Sequence, residues 1–379
     1  MRKPPRLAIY CGPMDGGSTA KIASRLANGF AARGFPTDLL VSHCRHPVIE
    51  STAAGVEVIQ MGTMRPVVRV LAMTRYLRAR QPAAILTHRI REDVFTLKAH
   101  RWSATATAVF VTVHGPLSLK LQHMEPAKER RRRAEILRYY PRNRGIIAIT
   151  DETAWDLQSL LGPGARVATI PNPIITPGMI QSAHAPLDHP WFTNPADREA
   201  IPVILFAGRL EQEKDLPTLL QAFAWLRQQR PCRLLIMGEG RLRSELESLR
   251  RSLGLEDLVA MPGWAANPYP YLRQARLVVL SSTQDALPTV LIESLALGTP
   301  VVSTDCGPGP REILANGRLG PLVPPRDAMA LANAMAKTLD DPLPSSSLRQ
   351  GGERYESQRN ADLYLDFMLG RHVTTGEED

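Results

Sequence analysis

The chain has 379 residues, of which 44% are hydrophobic and 22% are charged; this composition is typical of globular proteins and excludes a disordered chain. At roughly 150 residues per domain, the length predicts two domains. The net charge of +9 is unevenly distributed, because residues 1–180 hold 26 Lys and Arg against 12 Asp and Glu, whereas residues 181–379 hold 20 against 25. We therefore expect the first half to meet an anionic partner, such as a membrane surface, a nucleic acid or a phosphorylated acceptor.

The sequence predicts neither a membrane-spanning helix nor a secretory leader. Every apolar run stays well below the roughly 18 residues that a spanning helix requires. The first run, Leu7–Cys11, is too short for a signal-peptide core and is stopped by Gly12 and Pro13. The four cysteines form no Cys-x-x-Cys pair and no zinc-ligand spacing, so we predict neither a disulfide framework nor a structural metal. These observations predict a cytoplasmic protein.

Short apolar runs alternate with helix-length segments along both halves of the chain, which indicates βαβ units with parallel sheets. Segment 176–202 is rich in turn-forming residues and is predicted to be a linker. We therefore predict an α/β protein with two doubly wound domains, 1–180 and 181–350, that face one another across a cleft. The predicted strands are Leu7–Cys11, Asp38–Ser42, Val56–Gln60, Ala84–Thr87, Ala108–Val113, Ile146–Thr150, Val167–Ile170, Val203–Ala207, Arg233–Met237, Leu258–Met261, Leu277–Ser281 and Pro300–Thr304.

Two helices are marked by the spacing of their apolar residues. One follows Lys214 and places its leucines and Phe223 on one face. The other covers 353–369, and we expect it to pack back on the first domain. Residues 370–379 are predicted to be a disordered tail.

A glycine-rich turn, Gly12-Pro-Met-Asp-Gly-Gly-Ser18, follows the first predicted strand. Such a turn lets the backbone approach a ligand closely, and the helix that follows favours an anion. A nicotinamide-dinucleotide site is disfavoured, because the spacing is not Gly-x-Gly-x-x-Gly and the second strand ends in Ser42-His43 without an acidic residue. A phosphate-facing loop and a plain strand-to-helix turn both stay open.

Two cations follow the strand that ends at Gly208, in the sequence Gly208-Arg-Leu-Glu-Gln-Glu-Lys214. Arg209 offers a bidentate fork and Lys214 a point charge, and together they suit a diphosphate. The alternative is a solvated loop in which Arg209 pairs with Glu211 or Glu213.

Two carboxylates, Asp285 and Glu293, flank a Pro-Thr step and a predicted helix start near Thr289. In that arrangement both side chains are expected to accept hydroxyl hydrogen bonds from a sugar or a ribose. The alternative is that Asp285 is an ordinary loop residue and Glu293 interacts with the helix dipole. A Gly- and Pro-rich loop follows the next strand at 305–311, and its free amides suit an anion or a ligand hydroxyl.

Taken in this order, the motifs resemble the retaining glycosyltransferases of family four, which have the two-domain GT-B fold. The family pattern is Gly-Arg-Leu-x-x-x-Lys, then Gly-x-Gly, then Glu-x₇-Glu, then Gly-x-Pro-Val-Val. The chain carries these elements at 208–214, 238–240, 285–293 and 298–302, within a match over about 203–325. The first half is similar more loosely, at Gly16-Gly17, Val113-His114-Gly115 and 170–173. The stretch 305–314 is similar to that of bacterial members that build lipid-linked or surface polysaccharides.

The resemblance implies a nucleotide-sugar donor, a UDP-sugar, and a role for each matching residue. Arg209 and Lys214 are expected to bind the donor diphosphate, Glu293 its ribose and Asp285 the hydroxyls of its sugar. His114 is expected beside the transferred sugar, with a packed histidine at a strand end as the alternative. The family usually has Glu-Gly-Phe where this chain has Asp-Ala-Leu at 285–287, so sugar specificity is not carried over. Further donor-binding residues implied by the resemblance are Gly16, Gly17, Gly208, Pro288, Thr289 and Val290.

The chemistry implied by this resemblance needs no cofactor and no metal. Cleavage of the bond between the anomeric carbon and the diphosphate leaves negative charge on the phosphate, which fixed cations and amides stabilise. The sequence contains no Asp-x-Asp metal element. The family's retention is explained by same-face attack, so we expect no side-chain nucleophile.

Segment 118–144 carries nine Lys and Arg against three Glu, with apolar residues interleaved. Arg130, Arg131, Arg132 and Arg133 form its centre. Such a basic amphipathic segment suits an anionic membrane surface, and we predict peripheral contact with the inner face of the membrane near a glycan or lipid-linked acceptor. A solvated helix face is the alternative, and no motif supports a nucleic-acid partner.

Three other functions stay open from the sequence, one of them a nucleic-acid binder driven by the positive charge of the first half. A nucleotide-sugar epimerase of similar fold would turn over donor without an acceptor. A nucleotide-sugar-binding protein that has lost catalysis is compatible with the departure at Asp285.

Overall fold

The computed structural model describes residues 3–14, 18–44, 52–62, 65–187, 189–193 and 201–370. The chain divides into two compact units. Unit 1 combines Met1–Pro173 with Ser357–Asp379, and unit 2 is Ile174–Glu356. The domain limits 1–180 and 181–350 stay predictions. Of the predicted disordered tail, 370–379, all residues after 370 lie outside the described part of the chain.

Unit 1 contains a parallel sheet of seven strands in the order β3-β2-β1-β4-β5-β6-β7. Val, Ile and Leu dominate these strands because helices cover both faces of a parallel sheet. The strands are β1 (Leu7–Met14), β2 (Thr37–Cys44), β3 (Val56–Gln60), β4 (Ala84–Thr87), β5 (Ala108–Val113), β6 (Gly145–Ala148) and β7 (Val167–Thr169). The helices are α1 (Ser18–Ala32), α2 (Pro66–Arg80), α3 (Ile90–Ser103), α4 (Leu117–Gln122), α5 (Pro126–Tyr139) and α6 (Asp151–Leu161), with a 3₁₀ turn at Tyr140–Arg142.

Unit 2 contains a parallel sheet of six strands in the order β10-β9-β8-β11-β12-β13. The strands are β8 (Val203–Ala207), β9 (Arg233–Met237), β10 (Val259–Gly263), β11 (Leu277–Leu280), β12 (Val301–Thr304) and β13 (Leu322–Val323). The helices are α7 (Pro177–Ser182), α8 (Pro190–Thr193), α9 (Leu216–Gln229), α10 (Arg243–Ser252), α11 (Tyr269–Gln274), α12 (Thr289–Leu297), α13 (Pro308–Ile313), α14 (Ala328–Asp340) and α15 (Ser345–Gly352), with 3₁₀ turns at Gln212–Lys214 and Glu353–Tyr355.

The last helix, α16 (Ser357–Leu369), belongs to unit 1 and packs against α1. The two helices approach closely at Gly29, where an added Cβ would lie 2.7 Å from the Cβ of Ala361. Arg33 forms an ion pair with Asp362 across the same contact.

The prediction of two Rossmann-like α/β sheets is confirmed, and each predicted strand is present with ends shifted by a few residues. The predicted apolar face of α9 is buried as well. Segment 176–202, predicted to be a linker, contains the short helices α7 and α8, and its role as a linker stays a prediction. The predicted helix 353–369 begins later than expected, because Glu353–Tyr355 forms a separate 3₁₀ turn before α16.

Candidate functional site

The carboxyl ends of β8 and β9 form a tightly connected platform in unit 2. The amide of Gly208 donates to the carbonyl of Met237 over 3.0 Å, and the amide of Gly238 donates to that of Gly263 over 2.8 Å. Gly238 has φ +140°, and a Cβ there would lie 1.8 Å from the carbonyl oxygen of Gly208. Only glycine fits this close approach. β8 lies between β9 and β11, where the strand order reverses, and this is the position at which parallel sheets bind ligands.

A pocket of about 290 Å³ opens on this platform, entirely within unit 2. Five residues predicted from the sequence line it: Gly208, Arg209, Thr289, Val290 and Glu293. Sequence reasoning gave the other lining residues no role in a site, although it matched 238–240 to the Gly-x-Gly element and several others lie at strand ends. These are Ala207, Met237, Gly238, Glu239, Trp264, Ala265, Pro268 and Leu272.

Arg209 lies at the pocket with 71% of its side chain exposed, and its Nη2 lies 2.6 Å from Oε1 of Glu213. One of the pairings left open by the sequence is thus present. Glu211 pairs instead with Arg241 over 2.7 Å, and hydrogen bonding from Arg241 lowers the pKa of Glu211. The exposed guanidinium remains accessible to an anion, since surface ion pairs of this kind are weak.

Lys214 and Asp285 contact one another, although 71 residues separate them. Lys214 Nζ lies 2.5 Å from Asp285 Oδ2, and the side chains are only 15% and 17% exposed. The backbone that carries Lys214 is held by the end of β11, because Ser281 Oγ donates to the Lys214 carbonyl over 2.7 Å and the Thr283 amide donates to the Glu213 carbonyl over 2.8 Å. Both charged residues lie outside the lining of the pocket.

Helix α12 begins at Thr289, as predicted, with Pro288 at its N-cap and Glu293 one turn further on. Its first residues, Thr289 and Val290, line the pocket. An uncapped helix start presents free amides and a positive dipole end, which favour an anionic ligand.

The Gly- and Pro-rich loop after β12 packs against the loop that carries Asp285. A Cβ at Gly309 would lie 2.3 Å from the carbonyl oxygen of Ala286, and Gly307 has φ +141°. Glycine is therefore required here to bring two backbones together, and this contact fixes the path of the chain at Asp285.

In unit 1, His114 follows β5, and its Nε2 lies 3.1 Å from Nδ1 of His88, which follows β4. Burial, followed by the charges of Lys120 and Arg89, lowers the pKa of His114 to about 4. Sequence reasoning missed His88, although its position directly after a predicted strand was a usable signal. The predicted donor residues Gly16 and Gly17 lie outside the described residues.

The arginines of α5 differ in their surroundings. Arg131 is 81% exposed, and Arg130 is exposed as well. Arg132 instead pairs with Glu135 over 2.9 Å, and Arg133 pairs with Glu129 over 3.1 Å. Arg131 Nε also lies 3.8 Å from Oε1 of Glu135, so three of the four predicted membrane-facing cations have a carboxylate partner on the same helix, with the longest distance at Arg131.

Within the described ranges, no group of three or more His, Cys, Asp or Glu side chains is placed to hold a metal ion. Over the same part of the chain, no helix has the length and apolar character required to cross a membrane.

Two family profiles match the chain in succession. The profile described as Glycosyltransferase Family 4 matches residues 19–176, and the profile described as Glycosyl transferases group 1 matches residues 201–341. The chain belongs to the family-four glycosyltransferases.

Individual curated proteins are similar to parts of the chain. The chain is 33% identical over 212 residues to the exopolysaccharide phosphotransferase SCO2592 of Streptomyces coelicolor, covering 55% of this chain and 21% of the relative. It is 29% identical over 237 residues to the lipopolysaccharide core biosynthesis glycosyltransferase LpsE of Rhizobium meliloti, covering 61% of this chain and 66% of the relative. The match thus spans about a fifth of the first relative and about two thirds of the second.

The fold is GT-B, as the resemblance implied. The structure of Anabaena HepE in complex with UDP superposes with a TM-score of 0.77, covering 96% of this chain and all of HepE at 17% identity. At that level of identity the likeness concerns the fold alone.

Proposed function

We propose that this family-four glycosyltransferase is a retaining enzyme that transfers a sugar from a UDP-sugar to a lipid-linked, lipopolysaccharide or polysaccharide acceptor. The observation that carries the proposal is the pocket of unit 2, which combines the exposed guanidinium of Arg209, the carboxylate of Glu293 and the start of α12 at the reversal point of the sheet. The name of LpsE and the UDP bound to HepE support a nucleotide-sugar donor and a glycan acceptor.

The pocket suits the three parts of a nucleoside diphosphate. Arg209 and the free amides at Thr289 and Val290 are proposed to bind the diphosphate, with Gly208 allowing close approach. Glu293 is proposed to accept hydrogen bonds from the ribose hydroxyls. Trp264 is 72% exposed on the pocket wall and offers a ring face to the base. Pro288 fixes the start of α12 and stays a proposed donor-side residue.

Lys214 and Asp285 are proposed to act on the reacting end of the donor. Lys214 would stabilise charge on the departing diphosphate, and Asp285 would accept hydrogen bonds from the sugar. His114 is proposed to hydrogen-bond a hydroxyl of the transferred sugar. Fixed charges lower the barrier only if they interact more strongly with the transition state than with the bound donor.

The proposed reaction uses no metal and no cofactor, with the cations of the protein supplying charge stabilisation. We therefore expect turnover to survive treatment with EDTA. Loss of activity with EDTA, restored by a divalent cation, would contradict this part of the proposal.

We further propose peripheral contact with an anionic membrane surface, at the inner face of the membrane. The exposed cations of α5 support it, and so does the beginning of α2, where Val67, Val68 and Leu71 are 66%, 44% and 54% exposed. Exposed aliphatic side chains and exposed cations on the same unit suit a lipid interface. The family's matching profiles and the absence of a recognised nucleic-acid motif favour this partner over a nucleic acid.

The test of the donor site is a thermal-shift titration with UDP, GDP and ADP. A ligand that binds only the folded protein raises its melting temperature by mass action. We expect UDP to give the largest shift, and we expect Arg209→Gln to reduce that shift. Arg241→Gln is the matched control, since Arg241 is also exposed and paired with a glutamate but lies outside the pocket. Equal shifts in the two variants would contradict the assignment.

Product analysis separates the two remaining alternatives. An epimerase would convert the UDP-sugar in the absence of any acceptor, whereas a transferase needs one. A binding protein without catalytic activity would show the UDP shift and turn over nothing with any glycan or lipid-linked acceptor.

A further inference from the structure

Two histidines lie side by side at the carboxyl edge of the unit 1 sheet. His88 follows β4 and His114 follows β5, and these strands are hydrogen-bonded neighbours. Nδ1 of His88 lies 3.1 Å from Nε2 of His114, and the rings lie nearly parallel with an interplanar angle of 21°. At this distance one of the two nitrogens must carry a proton and the other must be bare.

Both rings are neutral near pH 7. Burial, followed by the charge of His114 and that of Arg89, lowers the pKa of His88 well below its usual value. His114 has a pKa of about 4 because of burial and the positive charges of Lys120 on α4 and Arg89 at the start of α3. Asp93 on α3 faces Lys120 and partly offsets its charge. A neutral pair shares a single proton across the hydrogen bond.

The surroundings of His88 decide where that proton lies. His88 is 2% exposed, and its Nε2 is buried with no hydrogen-bond partner among the described residues. If His114 donated through Nε2, His88 would carry its own proton on Nε2, which leaves a buried N–H without an acceptor. Buried N–H groups without a partner are rarer in proteins than under-used acceptors. If His88 instead donates from Nδ1, its Nε2 carries no proton, and no buried N–H is left without an acceptor.

We propose that His88 is a positioning residue that donates from Nδ1 to Nε2 of His114 and thereby holds His114 in the tautomer protonated on Nδ1. His114 then presents the N–H of its Nδ1 as a hydrogen-bond donor, and the acceptor is the oxygen of a sugar hydroxyl. Its contribution is a directed hydrogen bond, and it transfers no proton during the reaction. The role in the reaction rests on the proposed function, whereas the tautomer itself does not.

The tautomer is tested by nitrogen NMR of the full-length protein labelled at histidine. Protonated and bare imidazole nitrogens resonate in well-separated ranges, and His114→Gln identifies the signals. We expect the proton on Nδ1 of His114 and on Nδ1 of His88, unchanged between pH 6 and pH 8. A proton on Nε2 of His114 overturns the proposal, whether or not the protein turns over a sugar donor.

The positioning role is tested with His88→Leu and His88→Asn, since asparagine keeps an N–H close to the position of Nδ1 and leucine does not. We expect the leucine variant to populate both tautomers of His114, to raise its pKa and to lower kcat about tenfold, the effect of one hydrogen bond of roughly 1.4 kcal/mol. The asparagine variant should recover most of kcat, and KM for the UDP-sugar should change little in either.

His123→Leu is the matched control, because His123 is exposed and its ring Nδ1 lies 2.8 Å from the carbonyl oxygen of Leu119 on the preceding helix α4, away from the His88–His114 contact. Equal kcat losses in the leucine and asparagine variants, at unchanged His114 tautomer, indicate a purely structural role and overturn the proposal. If the tautomer is as expected but no sugar is transferred from any donor, the proposed function fails while the assignment of the proton stands.

Discussion

The contact between Lys214 and Asp285 brings together two side chains with different proposed roles, Lys214 at the departing diphosphate and Asp285 at the hydroxyls of the sugar. Each is more than four-fifths buried, so neither charge is well solvated when the other is removed. The pair therefore holds the ammonium in one position, and a donor that binds here adds its own negative charge to that of the aspartate.

Replacing Lys214 by alanine is expected to cut turnover at least tenfold, because it removes charge stabilisation of the leaving diphosphate. The measurement is kcat with the UDP-sugar, together with the melting temperature. Lys337→Ala on α14 is the charge-matched control, since Lys337 is exposed and outside the site. Turnover within twofold of the control would remove Lys214 from the mechanism.

Asp93, a buried acid in unit 1, is expected to make the folding stability depend on pH. Asp93 accepts a hydrogen bond from Tyr140 Oη over 2.7 Å, and burial raises its pKa to about 6 despite that bond. An aspartate in the unfolded chain titrates near 3.9. The folded state therefore binds the proton more tightly, and its stability falls as pH rises from about 4 through 6.

Asp93→Asn removes this titration and is expected to gain stability relative to the wild type, on the order of 2 kcal/mol, between pH 4 and pH 7. Urea unfolding at several pH values measures the difference. Asp341→Asn, at an exposed position, serves as the comparison. A difference between wild type and Asp93→Asn that stays constant across this range would show that Asp93 keeps its charge throughout.

Much of the candidate site could be predicted residue by residue from the sequence, because several site residues follow a strand or a helix start along the chain. Arg209 follows β8 by two residues and Glu293 lies one turn into α12, and the sequence marks both the strand end and the helix start by itself. His88 and the contact between Lys214 and Asp285 were not predicted as partners. Both depend on which strands are neighbours in the sheet, and the spacing of residues along the chain does not contain that information.

At the scale of elements, the loops after β8, β9 and β10 act as one unit. Their backbones are hydrogen-bonded to one another, and glycines stand where the chains approach most closely. The apolar runs predicted the strands well, because fully buried strands need such runs. β13 has only two residues, too few to show a pattern. α7 and α8 were hidden because each begins with proline, which marks turns and helix starts alike.

Gly238→Ala is expected to lower the free energy of unfolding by at least about 2 kcal/mol, because the new Cβ would meet the backbone at Gly208 and force the platform apart. It should also abolish the thermal shift with UDP. Gly164→Ala is the control, since a Cβ there meets nothing within 4 Å. The measurements are urea unfolding and the UDP titration; equal stability of the two variants would contradict the platform's role.

At the scale of the whole molecule, the charge asymmetry of the sequence has a structural counterpart in α5 of unit 1. That helix buries Ile136 and exposes most of its length. From the sequence alone the four consecutive arginines were treated as equivalent, whereas their positions on the helix give them different exposure and different ion pairs. Arg132 and Arg133 form close pairs with glutamates three or four residues away, whereas Arg130 and Arg131 stay more exposed, and the pair of Arg131 with Glu135 is longer at 3.8 Å.

This division yields a graded prediction for membrane binding. Each exposed cation near anionic headgroups contributes roughly 1 kcal/mol, so Arg130→Gln with Arg131→Gln should weaken binding to vesicles rich in anionic lipid by more than tenfold at low salt. Arg132→Gln with Arg133→Gln should weaken it less, because these two arginines are less exposed and are held along the helix by Glu135 and Glu129, so that their charges are less available to the lipid. Co-sedimentation at rising salt measures both, and the difference should shrink as salt screens the charges.

The control for net charge is Arg318→Gln with Arg359→Gln, which removes two exposed cations elsewhere on the chain. If this pair weakens vesicle binding as much as the change at Arg130 and Arg131, attraction follows total charge and α5 has no special role. Binding that is unaffected in every variant would mean that electrostatic contact with lipid does not occur, and the exposed valines and leucine of α2 would then be tested alone by Val67→Ser with Leu71→Ser.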